Sequence, residues 1–233
     1  MLSLGQQLIV LTAFLVVLNA QGKKDPQVMN PKPLRVAFVV STGFNMIDFA
    51  GPWEVFNDAR LPTKGKSWEE SAHLFELYTV SDSVAPIKSG GGANFIPQYN
   101  FANAPKPDIV VIGAQRSNSP ELYSWLKKQH ADGNVLMSVC TGAFKLARSG
   151  LLDGKSATSH HAYVPFYRDE FPKIVWLETR RFVQSSENIY TAGGLTSGID
   201  LALHVVAKKF GTSIAQATAD WMEYQGAGWK NPE

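Results

Sequence analysis

Chemistry in this chain centres on its single cysteine, in the stretch Asn134-Val-Leu-Met-Ser-Val-Cys140-Thr-Gly-Ala-Phe-Lys-Leu-Ala-Arg148-Ser-Gly150. Val135 to Val139 read as a short buried strand, apolar and β-branched. Beyond Thr141 and Gly142, apolar residues at Ala143, Phe144, Leu146 and Ala147 follow helical spacing, and Gly150 suits a helix stop. The thiol therefore stands where a strand turns sharply into a helix, the cysteine counterpart of a nucleophile elbow. A helix N-terminus favours a thiolate, so Cys140 is expected to titrate below the roughly 8.5 of a free cysteine. The N–H of Thr141 would be free to stabilise an oxyanion beside the sulfur. An inert buried cysteine carries the same local pattern, since free cysteine is among the most buried residue types. The stretch alone leaves both open.

The elements around it give that thiol a setting. Leu34 to Val40 is a near-continuous apolar run, as expected of a central parallel strand. Ser41 to Asn45 reads as a loop and Asp48 to Arg60 as a helix, with Pro52 in its first turn. Asp48 thus falls at the C-terminal end of the first strand, where helix N-cap is the commoner role for an Asp. His73 to Val80 and Asp108 to Gly113 are further strands, with Ile87 to Ile96 a hairpin or excursion between them. Ser119-Pro120 opens a helix running to about His130. Ser156 to Ser159 is a short strand ending at His160-His161, and Ala162 to Phe171 is helical. Ile174 to Leu177 and Arg181 to Thr191 are strands, the latter broken near Glu187-Asn188. Helices then cover Ser197 to Phe210 and Ser213 to Tyr224, the second capped by Thr212.

Strands alternating with helices predict an α/β fold with a doubly wound, mainly parallel sheet. Ligands of such sheets bind outside the carboxyl ends of the strands, where the strand order reverses. Asp48, Gly113, Cys140 and His160 all fall at such ends. The other histidines, His73, His130 and His204, are scattered, and no cluster has metal-ligand spacing. Of His160 and His161, adjacent on a strand, at most one should face the site. Gly90-Gly91-Gly92 and Gly193-Gly194 match no phosphate-loop fingerprint and read as turns or bulges.

Composition narrows the class. The 233 residues are 45% hydrophobic and 18% charged with a net charge of +2, an ordinary globular balance. No basic run or basic–aromatic interleaving suggests a nucleic-acid partner. Leu8 to Leu18 is an apolar run of signal-peptide length, and Ala20 supplies a small residue for cleavage. The expected organisation is a signal peptide at 1–20, a polar, Pro-containing linker at 21–33 and one α/β domain at 34–233. That predicts export with no stable membrane span, or a membrane tether if the signal stays uncleaved. A lone cysteine, with no intramolecular partner, fits an oxidising compartment.

Four motifs in order then carry a resemblance. Ile47-Asp48-Phe-Ala-Gly51-Pro52-Trp-Glu54-Val55, Val139-Cys140-Thr141-Gly142-Ala143, Gly150-Leu-Leu-Asp-Gly154-Lys-Ser-Ala157-Thr-Ser-His160 and Thr191-Ala-Gly193-Gly194-Leu-Thr-Ser-Gly198-Ile-Asp200 resemble the PfpI-type superfamily, related to class I glutamine amidotransferases. Within it the chain looks most like the isonitrile hydratase branch. The resemblance implies a flavodoxin-like fold, a small-molecule substrate, no cofactor or metal, and a homodimer. It implies Cys140 as nucleophile, Asp48 as the acid bonded to its sulfur, and Thr141 as a donor beside it. His160 lies where relatives often place a histidine near the thiol. The chain departs from relatives in carrying Thr141 directly after the cysteine, where proteases of the group carry histidine. It lacks a histidine in the Gly194-Leu195-Thr196 loop, which the amidotransferases need. Ile112-Gly113-Ala114-Gln115 replaces the usual Pro-Gly-Gly, leaving Gly113 or Ala114 to supply the second oxyanion donor.

The reaction so implied is hydration of an isonitrile to an N-substituted formamide. Two other readings share the motifs. One is a non-catalytic sensor module like those of AraC-type regulators, which carry a helix-turn-helix domain afterwards. Here the chain ends about twenty residues after the long helix, and export also speaks against DNA binding. The other is a redox or carbonyl-stress protein whose thiol oxidises to sulfinate.

Overall fold

The computed structural model describes residues 32–230. The expected signal peptide at 1–20, and nearly all of the 21–33 linker, lie outside the described residues. Seven strands form the central sheet, in the spatial order Phe182–Ser186, Ile189–Ala192, Val135–Ser138, Ile109–Ile112, Leu34–Val39, Phe75–Ser81, Tyr99–Asn100. All neighbours are parallel except the first pair, a hairpin broken at Glu187-Asn188. The sheet is the doubly wound, flavodoxin-like α/β arrangement expected.

Side-chain alternation along the strands builds two apolar layers. Val36, Phe38, Ile109 and Val111 face α1 (Met46–Asp58), α5 (Ser197–Phe210) and α6 (Thr212–Trp221). Ala37, Val39, Val110 and Ile112 face α2 (Pro120–Ala131), α3 (Ala143–Arg148) and α4 (Val164–Glu170). Burial on both faces explains why these strands read as continuous apolar runs. The chain moves outward one way from Leu34–Val39 and then returns to its other side at Ile109–Ile112. That reversal opens a crevice at the carboxyl ends of these two strands.

Several boundaries differ from the sequence expectation. Helix α1 begins at Met46 and is capped by Asn45, whose side chain accepts from Ile47 N at 3.2 Å. Asp48 is therefore not the cap but a buried residue of the first turn. Pro52 lies in the second turn, where it lacks the N–H that would have bonded the Asp48 carbonyl. The strand expected at Ser156–Ser159 stops at Ala157 and pairs with Val175–Trp176 outside the main sheet. The Ile87–Ile96 excursion is a short hairpin joining Ile87–Lys88 to Asn94–Phe95. Gly211, not Thr212, precedes the last helix, which ends at Trp221.

Candidate active site

The elbow is built by backbone contacts from three directions. Val139 N donates to Ile112 O at 3.0 Å, Cys140 N to Gly193 O at 2.8 Å, and Ser159 Oγ to Cys140 O at 2.8 Å. So held, Cys140 adopts φ +57°, a left-handed conformation that costs a side-chain-bearing residue about 1–2 kcal/mol. Strain of this kind persists only where surrounding contacts over-determine it. A 3₁₀ turn, Cys140–Gly142, then leads into α3. A Cβ at Gly142 would lie 2.0 Å from the Ile112 carbonyl oxygen, so glycine is required for the elbow to close on the neighbouring strand.

Asp48 reaches the same crevice from α1 and is fully buried. Its Oδ2 accepts from Ala114 N at 3.0 Å. Its Oδ1 makes no hydrogen bond of full geometry, although the Cys140 thiol lies close enough for each group to shift the other's titration. A Cβ at Gly113 would stand 2.7 Å from Asp48 Cβ, so that glycine makes room for the carboxyl. Burial pushes the Asp48 carboxyl up to about 6, against the opposing pull of Ala114 N–H and the thiol. The Ala114 amide, a candidate oxyanion donor from sequence, is thus engaged in holding Asp48.

The thiol departs from expectation. Desolvation, and then the Asp48 charge, push Cys140 up to about 12. The N–H groups of Thr141 and Leu195 pull the other way without prevailing. The helix beyond the elbow, α3, has only six residues and begins three positions past the sulfur. At neutral pH the pair is a thiol facing a carboxylate. The thiolate forms only when its proton has somewhere to go, and Asp48 is the acceptor beside it.

Two groups at the site were not singled out from sequence. Leu195 has φ +52°, and its N–H faces the sulfur together with that of Thr141. Tyr167, on α4, brings its hydroxyl against the Thr141 side chain and near the thiol, and burial holds that hydroxyl above its usual range. The Gly193-Gly194 turn signal marked the first loop, but nothing local marks Tyr167, which reads as an ordinary core residue.

His160 stands one loop away. Its ring packs against Gly194, where a Cβ would be 2.6 Å from Cδ2, and its Nδ1 accepts from Ala162 N at 3.2 Å. His160 and His161 rings stack at 4.7 Å instead of pointing to opposite faces, because the strand has already ended. Both line a cavity of about 380 Å³ beside the Gly193–Ser197 loop. Among the described residues, no group of three or more His, Cys, Asp or Glu could hold a metal ion. No described helix is long and apolar enough to cross a membrane.

A strained cysteine at a strand–helix elbow on a doubly wound sheet defines a class, and residues 34–208 match the DJ-1/PfpI family. The chain belongs to that family. It is similar to an isonitrile hydratase from Pseudomonas putida, 28% identical over 199 residues, covering 83% of this chain and 80% of that protein. It is equally similar to the HTH-type transcriptional regulator GbdR from Pseudomonas aeruginosa, 28% identical over 200 residues and 84% of the chain. The chain spans about half the length of the GbdR regulators it matches, 52%. Among solved structures, a ThiJ/PfpI family protein from Pseudomonas syringae superposes with a TM-score of 0.70 at 23% identity. That superposition covers 91% of this chain and 84% of the other.

Proposed function

We propose that the chain is a cysteine-dependent hydratase of a small electrophilic molecule, with an isonitrile as the substrate class. The observation that carries this is the pairing of a strained, elbow-mounted thiol with a buried carboxylate that has one unfilled oxygen. In the proposed reaction Asp48 takes the thiol proton as Sγ attacks the terminal isocyanide carbon, and then delivers that proton to the same carbon. The product of this step is a thioimidate, Cys140 S–CH=N–R. Water adds across its C=N bond, giving oxygen to carbon and one proton to nitrogen. Collapse breaks the C–S bond, the sulfur recovers the other proton, and an N-substituted formamide leaves. Thr141 and Leu195 N–H groups stabilise the sulfur as it departs. Gly113 makes room for the acid, Ala114 fixes it, and His160 belongs to the substrate cavity.

A sensor module is the second reading, favoured by the equal likeness to GbdR and by a thiol that is neutral at rest. Intact mass after exposure to isonitriles, glyoxals and peroxide separates the readings. The hydratase consumes isonitrile and returns to its starting mass. A sensor consumes none, and a redox protein gains oxygen at Cys140. Export is proposed as well, supported by the apolar run Leu8–Leu18. Finding Met1 or Leu2 at the N-terminus of the native protein would overturn it. A homodimer is the assembly proposed with it, tested by sedimentation equilibrium.

A further inference from the structure

The cavity beside the elbow has a charge that the reaction chemistry leaves unused. Its walls include Arg180 and Arg181, both histidines, Glu178 and Thr196. Glu178 is paired with Arg168, and Arg181 with the buried Asp200. Arg181 also donates from both terminal nitrogens to Thr196 Oγ1, at 3.3 and 3.4 Å, so its guanidinium is held in place with little of its donor capacity left. Arg180 makes no ion pair or side-chain hydrogen bond among the described residues. The wall therefore carries one positive charge in excess, that of Arg180, alongside Arg181, whose own charge is balanced by Asp200.

The cavity and the nucleophile share their walls. Ser159, at the cavity edge, bonds the Cys140 carbonyl, and Gly193 accepts the Cys140 N–H. Leu195 lines the cavity while its N–H faces the sulfur. Cys140 does not itself line the cavity, so a ligand group held by the arginines reaches the thiol past Ser159 and the Gly193–Leu195 loop that both border. The Arg180 fork can hold a carboxylate by charge-assisted hydrogen bonds, with Arg181 adding its charge and its remaining N–H, which a neutral ligand group cannot exploit.

We infer that the Arg180–Arg181 cavity is the anion subsite of this protein, and that the molecule presented to Cys140 carries a carboxylate a short distance from its electrophilic carbon. The inference rests on the proposed hydratase reading for the reaction but not for the binding. Isocyanoacetate and isocyanoacetamide are matched in size and differ in charge, so they isolate the effect.

The expected result is a kcat/KM for the carboxylate at least about 10-fold above that for the amide, narrowing with added salt because the arginines are exposed. Arg180→Gln should bring that ratio close to one, and Arg181→Lys, which keeps charge but loses the fork, should reduce it in part. Circular dichroism checks that both variants keep their fold. A wild-type ratio near one, or a ratio that survives both substitutions, overturns the anion subsite and leaves the hydratase reading standing. If neither compound turns over, calorimetric titration of Cys140→Ser protein with the same pair decides. Tighter carboxylate binding that Arg180→Gln abolishes then supports the subsite while the hydratase reading fails, and equal or absent binding overturns the subsite.

Discussion

Two carboxylates in this molecule start from the same position and end in opposite conditions. Asp48 lies in the first turn of α1 and Asp200 in the first turn of α5; both helices lie on one face of the sheet, and both side chains are buried. Asp200 is saturated. Its oxygens accept from Arg181 Nε at 2.7 Å, Tyr224 Oη at 3.1 Å and Trp229 N at 3.1 Å, tying the strand hairpin, α5 and the C-terminal turn together. Asp48 has one well-formed bond and a bare oxygen beside a thiol. A buried carboxylate with all its partners holds structure. One left short of partners in a crevice is poised to exchange a proton, because burial has already raised its affinity for one.

That contrast is broken most severely at the nucleophile. On a substrate that turns over, Cys140→Ala should abolish covalent turnover. Asp48→Asn, which keeps shape but not proton transfer, should lower the rate by roughly 10²–10⁴-fold. Residues acting as one unit are non-additive, so the double variant should be hardly slower than Cys140→Ala. Wild-type kcat/KM should rise as pH passes through about 6, since Asp48 must be ionised to take the thiol proton. Turnover within a few-fold of wild type in Asp48→Asn would exclude this mechanism, whatever the fold.

Stability should separate the two carboxylates by sign. Asp200→Ala strands the Trp229 N–H, the Tyr224 hydroxyl and part of Arg181, for a loss of about 2–3 kcal/mol, moderated by the exposure of Arg181. Urea unfolding that shifts by less than half of that removes Asp200 as a hub. Asp48 works in the other direction. Its folded pKa lies above its unfolded one, so its contribution is fully present below about pH 4 and is lost as pH rises through about 6. An ionised, buried Asp48 therefore costs the folded protein roughly 3 kcal/mol at neutral pH, at about 1.4 kcal/mol for each pH unit by which burial raises the carboxyl. Asp48→Asn escapes that cost, so it should gain stability relative to wild type between pH 4 and 7. A difference that does not change over that window would show that the carboxyl is not perturbed by burial.

Legibility in the sequence followed the same division. The α/β alternation was readable because strands buried on both faces leave uninterrupted apolar runs, as at Leu34–Val39 and Ile109–Ile112. The crevice was readable because strand ends fix where Asp48, Gly113 and Cys140 can go. What depended on atoms meeting across the chain was not. No pattern around Leu195 announces an N–H aimed at a sulfur 55 positions earlier, and Tyr167 carries no local mark at all. The role of the Ala114 amide turned on one bond to Asp48 that only the fold creates. The direction of the thiol's titration was hidden too: the helix from Ala143 to near Gly150 was readable, but not how deeply the fold buries the sulfur or how close it sets the Asp48 charge.

The smallest expected effect tests that last correction. The rate of Cys140 alkylation against pH should show a midpoint above the free-cysteine value of roughly 8.5, still climbing at the alkaline end. Desolvation is the first cause and the neighbouring Asp48 charge the second, so Asp48→Asn should lower the midpoint without restoring it to the free value. Thr141 and Leu195 act through backbone N–H groups, so substituting their side chains should leave the midpoint nearly unchanged. A wild-type midpoint below the free value would mean that those two N–H groups outweigh burial after all. The two carboxylates would then differ in partners but not in consequence, since a site that stabilises its own thiolate does not need Asp48 to receive the proton. A high midpoint that falls in Asp48→Asn ties the titration of the thiol to the carboxylate beside it, and makes proton transfer within that pair the step that arms the nucleophile.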